Sequence, residues 1–441
     1  MNILGISLDL LLLLVLIPAQ SQLTDRPFLL VVPLLGTVLL ELSQPLRNYT
    51  KLTAGLDRNR ISFLIRLGLL LLMIAGACLV PTLENITNRL VTPIEADGYS
   101  PALANVHDGA LQLELALGYL QQGKNPYVEQ YDQTPLKFYG FKEITLPRNP
   151  TFDYFVYLPS LLWISYPFYA LFHLAGFPYD ERWVFLFVYF LLILILPTLA
   201  RRPEYKLLLV AAIGLNPLLT GPVKIGMDDV AILLFLILVA KTIEKRPLLA
   251  AILFGIACSL KQSAWFIIPF YFLYLFLSTP PKDRIKQVMK SAVTVFAVMA
   301  ISAAPLALRD LHSFLTDTLM YPAGLVGINY PIRGYTLGML LISIGLIPSP
   351  ASSFPFWILE GLFGIPLLLL LLHYQQRRNS VGIMFQSAGI FIFGFGFLTR
   401  FFQDNYVGFV TVLIVLGVIL EMDRLATSRS DLNQTTGQTI N

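Results

Sequence analysis

Fourteen separate runs of ten to twenty mainly apolar residues, from Leu4–Ile17 to Tyr406–Leu420, fill nearly half of this chain. A helix needs about 20 apolar residues to cross the roughly 30 Å hydrocarbon core of a bilayer. Backbone N–H and C=O groups in lipid must bond within the chain, so a sequence of this pattern folds as packed membrane helices. Only 13% of the residues are charged, against about 25% in soluble domains. About 12 to 14 crossings would use roughly 240–280 residues of the 441, which leaves no room for a separate soluble domain. The expected fold is all-α and polytopic, with about 12–14 transmembrane helices.

The 31 Lys and Arg against 27 Asp and Glu give a net charge of +4, too weak a bias to indicate a nucleic-acid partner. Cys78 and Cys258 both lie inside apolar runs, which excludes a disulfide scaffold and a cysteine metal cluster. The charges are informative by position. Arg47, Lys51, Arg58 and Arg60 precede the run Ile61–Val80, with Arg66 just inside it; the positive-inside bias assigns this loop to the cytoplasm and sends Val80 outward. Further basic groups at Arg201/Arg202/Lys206, Lys241/Lys245/Arg246, Lys282 to Lys290 and Arg377/Arg378 mark cytoplasmic turns.

Residues 1–60 then form N-terminal helices with a basic loop, 61–421 the main membrane domain, and 422–441 an unstructured polar tail. The longest polar interval, 81–154, is an outer loop rich in acidic residues, Gly, Pro and Asn. Within it Ala110–Leu120 (ALQLELALGYL) has helical spacing and reads as an interfacial helix stopped by Gly123 and Pro126. The orientation does not close. Two runs separate this outer loop from Arg201/Arg202, where an odd number is needed, and a second mismatch falls between the loop 306–333 and Arg377/Arg378. Either a short run such as Tyr335–Ile347 is re-entrant or one basic group disobeys the bias.

His107-Asp108-Gly109 opens the interfacial helix. Asp108 either caps that helix or offers a carboxylate held rigidly at the membrane surface. Asp97 beside Gly98 is a turn residue with a possible catalytic role, and Glu114, two helical turns beyond His107, could face the same side. Gly123-Lys124-Asn125-Pro126-Tyr127 stops the helix and folds the loop back. Asp228-Asp229 is an adjacent acidic pair at a span end, either solvated or used to hold an acceptor hydroxyl or a divalent ion. Lys261-Gln262 interrupts an otherwise apolar stretch from Leu248 to Leu277; that lysine snorkels or meets an anion such as a phosphate. Arg333 and Arg400 sit where the positive-inside bias disfavours them, each suited as a guanidinium fork for a lipid phosphate. Asp404 and Asn405 follow in Arg400-Phe-Phe-Gln-Asp-Asn-Tyr406. No phosphate-binding glycine loop, zinc cluster or serine nucleophile elbow is present.

Taken in order, His107-Asp108-Gly109, Gly123 to Tyr127, Tyr157-Leu158-Pro159, Asp228-Asp229, Leu260 to Trp265 and Arg400 to Tyr406 resemble the GT-C fold superfamily. These are membrane glycosyltransferases that use polyprenyl-phosphate sugars; the likeness is to the bacterial mannosyl and arabinofuranosyl transferase branch and covers roughly Ile61 to Tyr406. The resemblance implies a glycosyltransferase that moves a hexosyl or pentosyl group, with inversion, to a hydroxyl of a lipid or glycan acceptor. It implies the outer face of a bacterial cytoplasmic membrane, a polyprenyl-phosphate sugar and membrane lipids as partners, and an optional divalent metal. It assigns catalysis to Asp108, although many members carry two adjacent acidic residues there and this chain has His107 before the aspartate. His107, Glu114, Asp228 and Asp229 would support the acceptor or the loop, and Lys261, Arg333 and Arg400 the departing phosphate, with Asn125, Tyr127, Asp404 and Asn405 as further candidates. The competing readings are a secondary transporter and a non-catalytic envelope protein; the chain lacks the internal repeat that the first would favour.

Overall fold

The computed structural model describes residues 58–91, 105–139, 149–327 and 330–438. The first two apolar runs, Arg47, Lys51 and Asp97 lie outside the described residues. In chain order the helices begin with α1 (Arg60–Val91), α2 (Asp108–Gln121), α3 (Pro159–Leu174), α4 (Arg182–Ile195) and α5 (Pro203–Gly214). They continue as α6 (Pro217–Ile225), α7 (Asp229–Thr242), α8 (Pro247–Leu260), α9 (Ile268–Ser278) and α10 (Arg284–Ala307). After the short α11 (Leu311–Leu315) and α12 (Leu337–Ser343) come α13 (Phe356–Arg377), α14 (Val381–Leu398) and α15 (Asp404–Gln438). The chain is thus an all-α polytopic membrane protein.

Among the described residues, five helices are long and apolar enough to cross a membrane, or six if the bent pair α5 and α6, which meet at 48°, counts as one span. Several other apolar runs fold as helices of 10–17 residues. One of the apolar runs, α7, is apolar on every side and buried at every position from Asp229 to Val239 except Phe235 and Leu238. A helix apolar all round is a core element, and α7 has α4, α6, α8 and α15 around it.

Proline shapes α1. Pro81 has no N–H for the carbonyl four residues back, and the helix absorbs the defect in a wide turn over Ala75–Leu79, where Val80 N–H bonds Ala75 O. Glycine shapes the seam between α14 and α15. Gly382, Gly389 and Gly396 recur every seventh residue. A Cβ on Gly382 would lie 2.6 Å from Gly417 O, and one on Gly417 2.5 Å from Gly382 O. The two backbones therefore touch. By contrast α10 and α13 keep most of their apolar surface outward.

Among the described residues, the basic turns from Arg201 to Arg378 gather at one end of the bundle. Lys241 Nζ donates to Thr198 Oγ1 at 2.7 Å, Arg201 N to Asp423 Oδ2 at 2.8 Å, Ser380 Oγ to Glu421 Oε2 at 2.7 Å and Asn379 Nδ2 to Ser278 Oγ at 2.8 Å. The parity mismatch dissolves in α3, whose two ends both lie at the opposite end of the bundle. Near its start Ser160 Oγ is 2.7 Å from Ser302 Oγ, while farther along Ser165 donates to Glu181 beside the start of α4 and Tyr169 to Gln121 of α2. The run Tyr335–Ile347 does not cross either, since α12 has seven residues and is about 10 Å long.

The start of α2 is enclosed by the protein. Residues 109–113 are all buried, because the loop it opens closes over it, with Gln112 Nε2 donating to Thr151 O and Tyr154 O. The segment 422–438 continues α15 rather than forming an unstructured tail. Intrahelical bonds satisfy its backbone, and Arg424 grips Glu421 at 2.6 and 2.9 Å across that junction.

Candidate active site

Four interruptions of helical structure face one cavity of about 380 Å³ at the end opposite the basic turns. The first is the start of α2. The second is the turn from α6 to α7, where Gly226 takes φ +90° and Met227 N closes the helix on Pro222 O at 2.9 Å. The third is Lys261, extended between α8 and the tight turn Gln262–Ile267. The fourth is a two-residue parallel pairing of β1 (Arg333–Gly334) with β2 (Phe401–Phe402), which sets Arg333 beside Gln403, Asp404 and Asn405 on the cavity wall.

On the α2 wall the cap is His107, not Asp108. Its Nδ1 accepts from Gly109 N at 3.0 Å, and Asp108 Oδ1 accepts from the same N–H at 2.8 Å. Asp108 is the first residue of the helix. The histidine Nδ1 lies 3.1 Å from Asp108 Oδ1. Gly109 is obligatory: a Cβ there would fall 1.7 Å from the Tyr157 hydroxyl, which closes the cavity above it.

Across the cavity Lys261 Nζ lies 2.7 Å from Asp228 Oδ1 and 3.0 Å from Asp229 Oδ1, with the Tyr406 ring 5.0 Å away. Asn405 Nδ2 donates to Asp229 Oδ2 at 2.7 Å. The anion that the sequence leaves open for this lysine is therefore, in the first place, the neighbouring acidic pair. Asp228 Oδ2 and the Tyr321 hydroxyl are buried without hydrogen-bond partners among the described residues. No three His, Cys, Asp or Glu side chains among the described residues form a set that could hold a metal ion. With the acidic pair committed to Lys261, these residues do not fit a resident divalent ion.

Of the candidate residues, His107, Asp108, Asp228, Lys261, Arg333, Asp404 and Asn405 line the cavity, and Asp229 stands behind them. The other four do not. Glu114 turns to Arg89, with contacts of 2.7 and 2.6 Å, and accepts from Glu181 N at 2.8 Å. Asn125 donates to Leu306 O, and Tyr127 to Tyr157 O. Arg400 gives its guanidinium to the carbonyls of Tyr330 and Ser352 and is buried, so it braces the loop that carries Arg333 instead of facing a ligand.

Arg89 also meets Asp180 at 2.7 Å, and the fully buried Arg182 holds Asp180 through Nε at 2.9 Å and Nη2 at 2.7 Å. Burial alone would raise the Asp180 carboxyl, but Arg182 and Arg89 outweigh it and hold it below its ordinary range. Burial pushes the Glu181 carboxyl well up despite bonds from Ser165 and Tyr179.

Sequence reasoning missed the aromatic wall of Tyr157, Tyr321, Tyr330, Phe401 and Tyr406. The signal was the density of aromatic residues around Gly and Pro in 306–333. Burial raises the phenols of Tyr157, Tyr321 and Tyr330, so they remain neutral donors. Such a wall offers flat faces to sugar C–H groups and hydroxyls for hydrogen bonding.

No curated protein and no solved structure matches the chain significantly. The model of glycosyltransferase family 87 matches residues 155–399, a region that contains Asp228, Asp229, Lys261 and Arg333 but begins after Asp108. Members of that family are polyprenyl-phosphate-sugar-dependent mannosyltransferases of GT-C type. With more than half of the chain matched and helix breaks that gather acids and bases at one end of a membrane bundle, this protein belongs to glycosyltransferase family 87 and is an enzyme that transfers sugars.

Proposed function

We propose that the enzyme transfers a hexosyl group, with mannosyl as the first donor to test, from a polyprenyl phosphate to a hydroxyl of a lipid or glycan acceptor, with inversion. The observation that carries this reading is the convergence of Asp108, Asp228, Lys261 and Arg333 on a single cavity. Asp108 accepts a hydrogen bond from the acceptor hydroxyl and takes its proton as that oxygen attacks the anomeric carbon. The new C–O bond forms on the face opposite the phosphate as the old C–O bond breaks, and the electron pair leaves on the phosphate. Arg333, with Lys261 behind it, stabilises the charge that develops there.

An apolar recess of about 240 Å³ bounded by Leu158, Trp265, Met299 and Phe314 supports a lipid-linked donor. It adjoins the cavity through chain neighbours, Tyr157 lining one and Leu158 the other. The first isoprene units occupy this recess. The gathering of basic turns at the far end of the bundle supports an outward-facing cavity under the positive-inside bias, in a bacterial cytoplasmic membrane.

The test is transfer from polyprenyl-phosphate [14C]mannose by purified protein in lipid nanodiscs, against a panel of lipid and glycan acceptors, wild type beside Asp108→Asn. Release of polyprenyl phosphate that the variant lacks supports the reading. Consumption of no donor, together with solute movement in proteoliposomes, would replace it with transport.

A further inference from the structure

The wall that carries Asp108 and the wall that carries Asp228 and Lys261 come from distant parts of the chain, yet three contacts at one point join them. His107 N donates to Ile225 O at 2.7 Å, so a terminal carbonyl of α6 receives its partner from the residue before Asp108. Gly226 follows in the left-handed region, and a Cβ there would lie 2.8 Å from Ala110 Cβ and 3.0 Å from Arg182 Cγ. Arg182 then reaches over this contact, and its Nη1 donates to Asn105 O at 2.9 Å. Asn105, with φ 44°, is the non-glycine residue in the left-handed region among those described. A short polar side chain tolerates that conformation, but at a cost that the surroundings must hold in place.

Neither Arg182 nor Gly226 lines the cavity. Two residues before Ala110 stands Asp108, and two residues after Gly226 stands Asp228. The small contact between Gly226 and Ala110 therefore separates the two reacting walls by a fixed amount. Asp180, held in turn by Arg89, fixes the Arg182 fork from behind.

We infer that Gly226 and Arg182 are positioning residues, which set the gap between Asp108 and the Asp228–Lys261 pair. This rests on the reading of Asp108 as the base. Misplacement of a reacting group by about 1 Å costs up to roughly a hundredfold in rate, whereas donor binding through the lipid recess and Arg333 is made elsewhere. A methyl at 226 strains the left-handed backbone there and presses on Ala110 and Arg182, and removal of the Ala110 methyl relieves the contact with α2.

The experiment measures kcat and donor KM separately for full-length protein in nanodiscs with polyprenyl-phosphate [14C]mannose, together with the thermal unfolding midpoint. The variants are Gly226→Ala, Arg182→Lys, the double variant Gly226→Ala with Ala110→Gly, and Asp108→Asn. Gly226→Ala is expected to lower kcat by about tenfold or more with KM within about twofold. Arg182→Lys, which keeps the charge but loses the fork, lowers kcat less. The double variant regains at least about threefold of the lost kcat. Wild-type kcat in Gly226→Ala, or a loss that Ala110→Gly leaves unchanged, overturns the inference while an inactive Asp108→Asn leaves the base assignment standing. An Asp108→Asn protein as active as wild type overturns the base assignment, and the inference with it.

Discussion

The hydroxyl of Tyr157 occupies the space in which Gly109 would carry a side chain, 1.7 Å from the position of that Cβ. The glycine after Asp108 therefore does not mark a flexible hinge. It marks a close approach between the start of α2 and the segment that leads into α3. Gly109→Ala should lose most transfer activity and destabilise the protein by about 1–3 kcal/mol through overpacking. Tyr157→Phe in the same chain removes the oxygen and should restore stability. Unfolding midpoints of the two single variants and the double variant check this, and additive losses would contradict it.

Removal of Lys261 leaves two buried carboxylates facing each other. Lys261→Met should cost about 3–5 kcal/mol, the range for breaking a buried pair on one side. The triple variant Lys261→Met, Asp228→Asn, Asp229→Asn should recover much of that stability and remain inactive. Denaturation in detergent separates the two effects from turnover.

Arg333 and Arg400 should behave differently although Arg333 lies on β1 and Arg400 immediately precedes the paired β2. Arg333→Gln is expected to raise donor KM by about tenfold, equivalent to roughly 1.4 kcal/mol. Arg400→Gln should instead lower the midpoint and expose the 330–352 segment to protease, because the guanidinium bonds to the Tyr330 and Ser352 carbonyls are lost. Identical profiles for the two variants would refute this division of roles.

Asp317 carries a pH dependence of known sign. Burial pushes its carboxyl up to about 8, although Phe155 N–H, which donates to it, works in the opposite direction. The folded protein therefore keeps the proton over a range in which the unfolded chain has lost it, from the ordinary aspartate value of about 3.9 upward. Its contribution to stability is complete below that lower value and declines as pH rises toward 8. Asp317→Asn keeps an acceptor for Phe155 N–H and removes this slope. Between pH 4 and 9 the unfolding midpoint of the wild type should fall relative to that of Asp317→Asn; parallel curves would count against the assignment.

How much was legible follows the distance over which each contact acts. His107-Asp108-Gly109 could be read because a cap is local. The assignment within it slipped by one residue, since His107 can accept the same N–H as a carboxylate. Helical spacing allows Glu114 to face the His107 side, but Arg89, 25 residues earlier, claims it. Arg400 looked like a ligand for a phosphate because charge bias records only the end of the bundle at which a residue sits, not the carbonyls around it. The aromatic wall and the contact between Gly226 and Ala110 depend on distant segments meeting, and no local pattern encodes them.

The glycine seam between α14 and α15 divides the bundle into positions with different freedom to change. At Gly382 and Gly417 any side chain strikes the facing carbonyl, and at Gly389 it strikes Ile414, so drift is closed there by geometry regardless of chemistry. On α10 and α13, whose apolar surface faces outward, one aliphatic residue serves as well as another. Homologous chains should therefore differ most at the rim of the bundle and least along this seam, even though neither region touches the substrate.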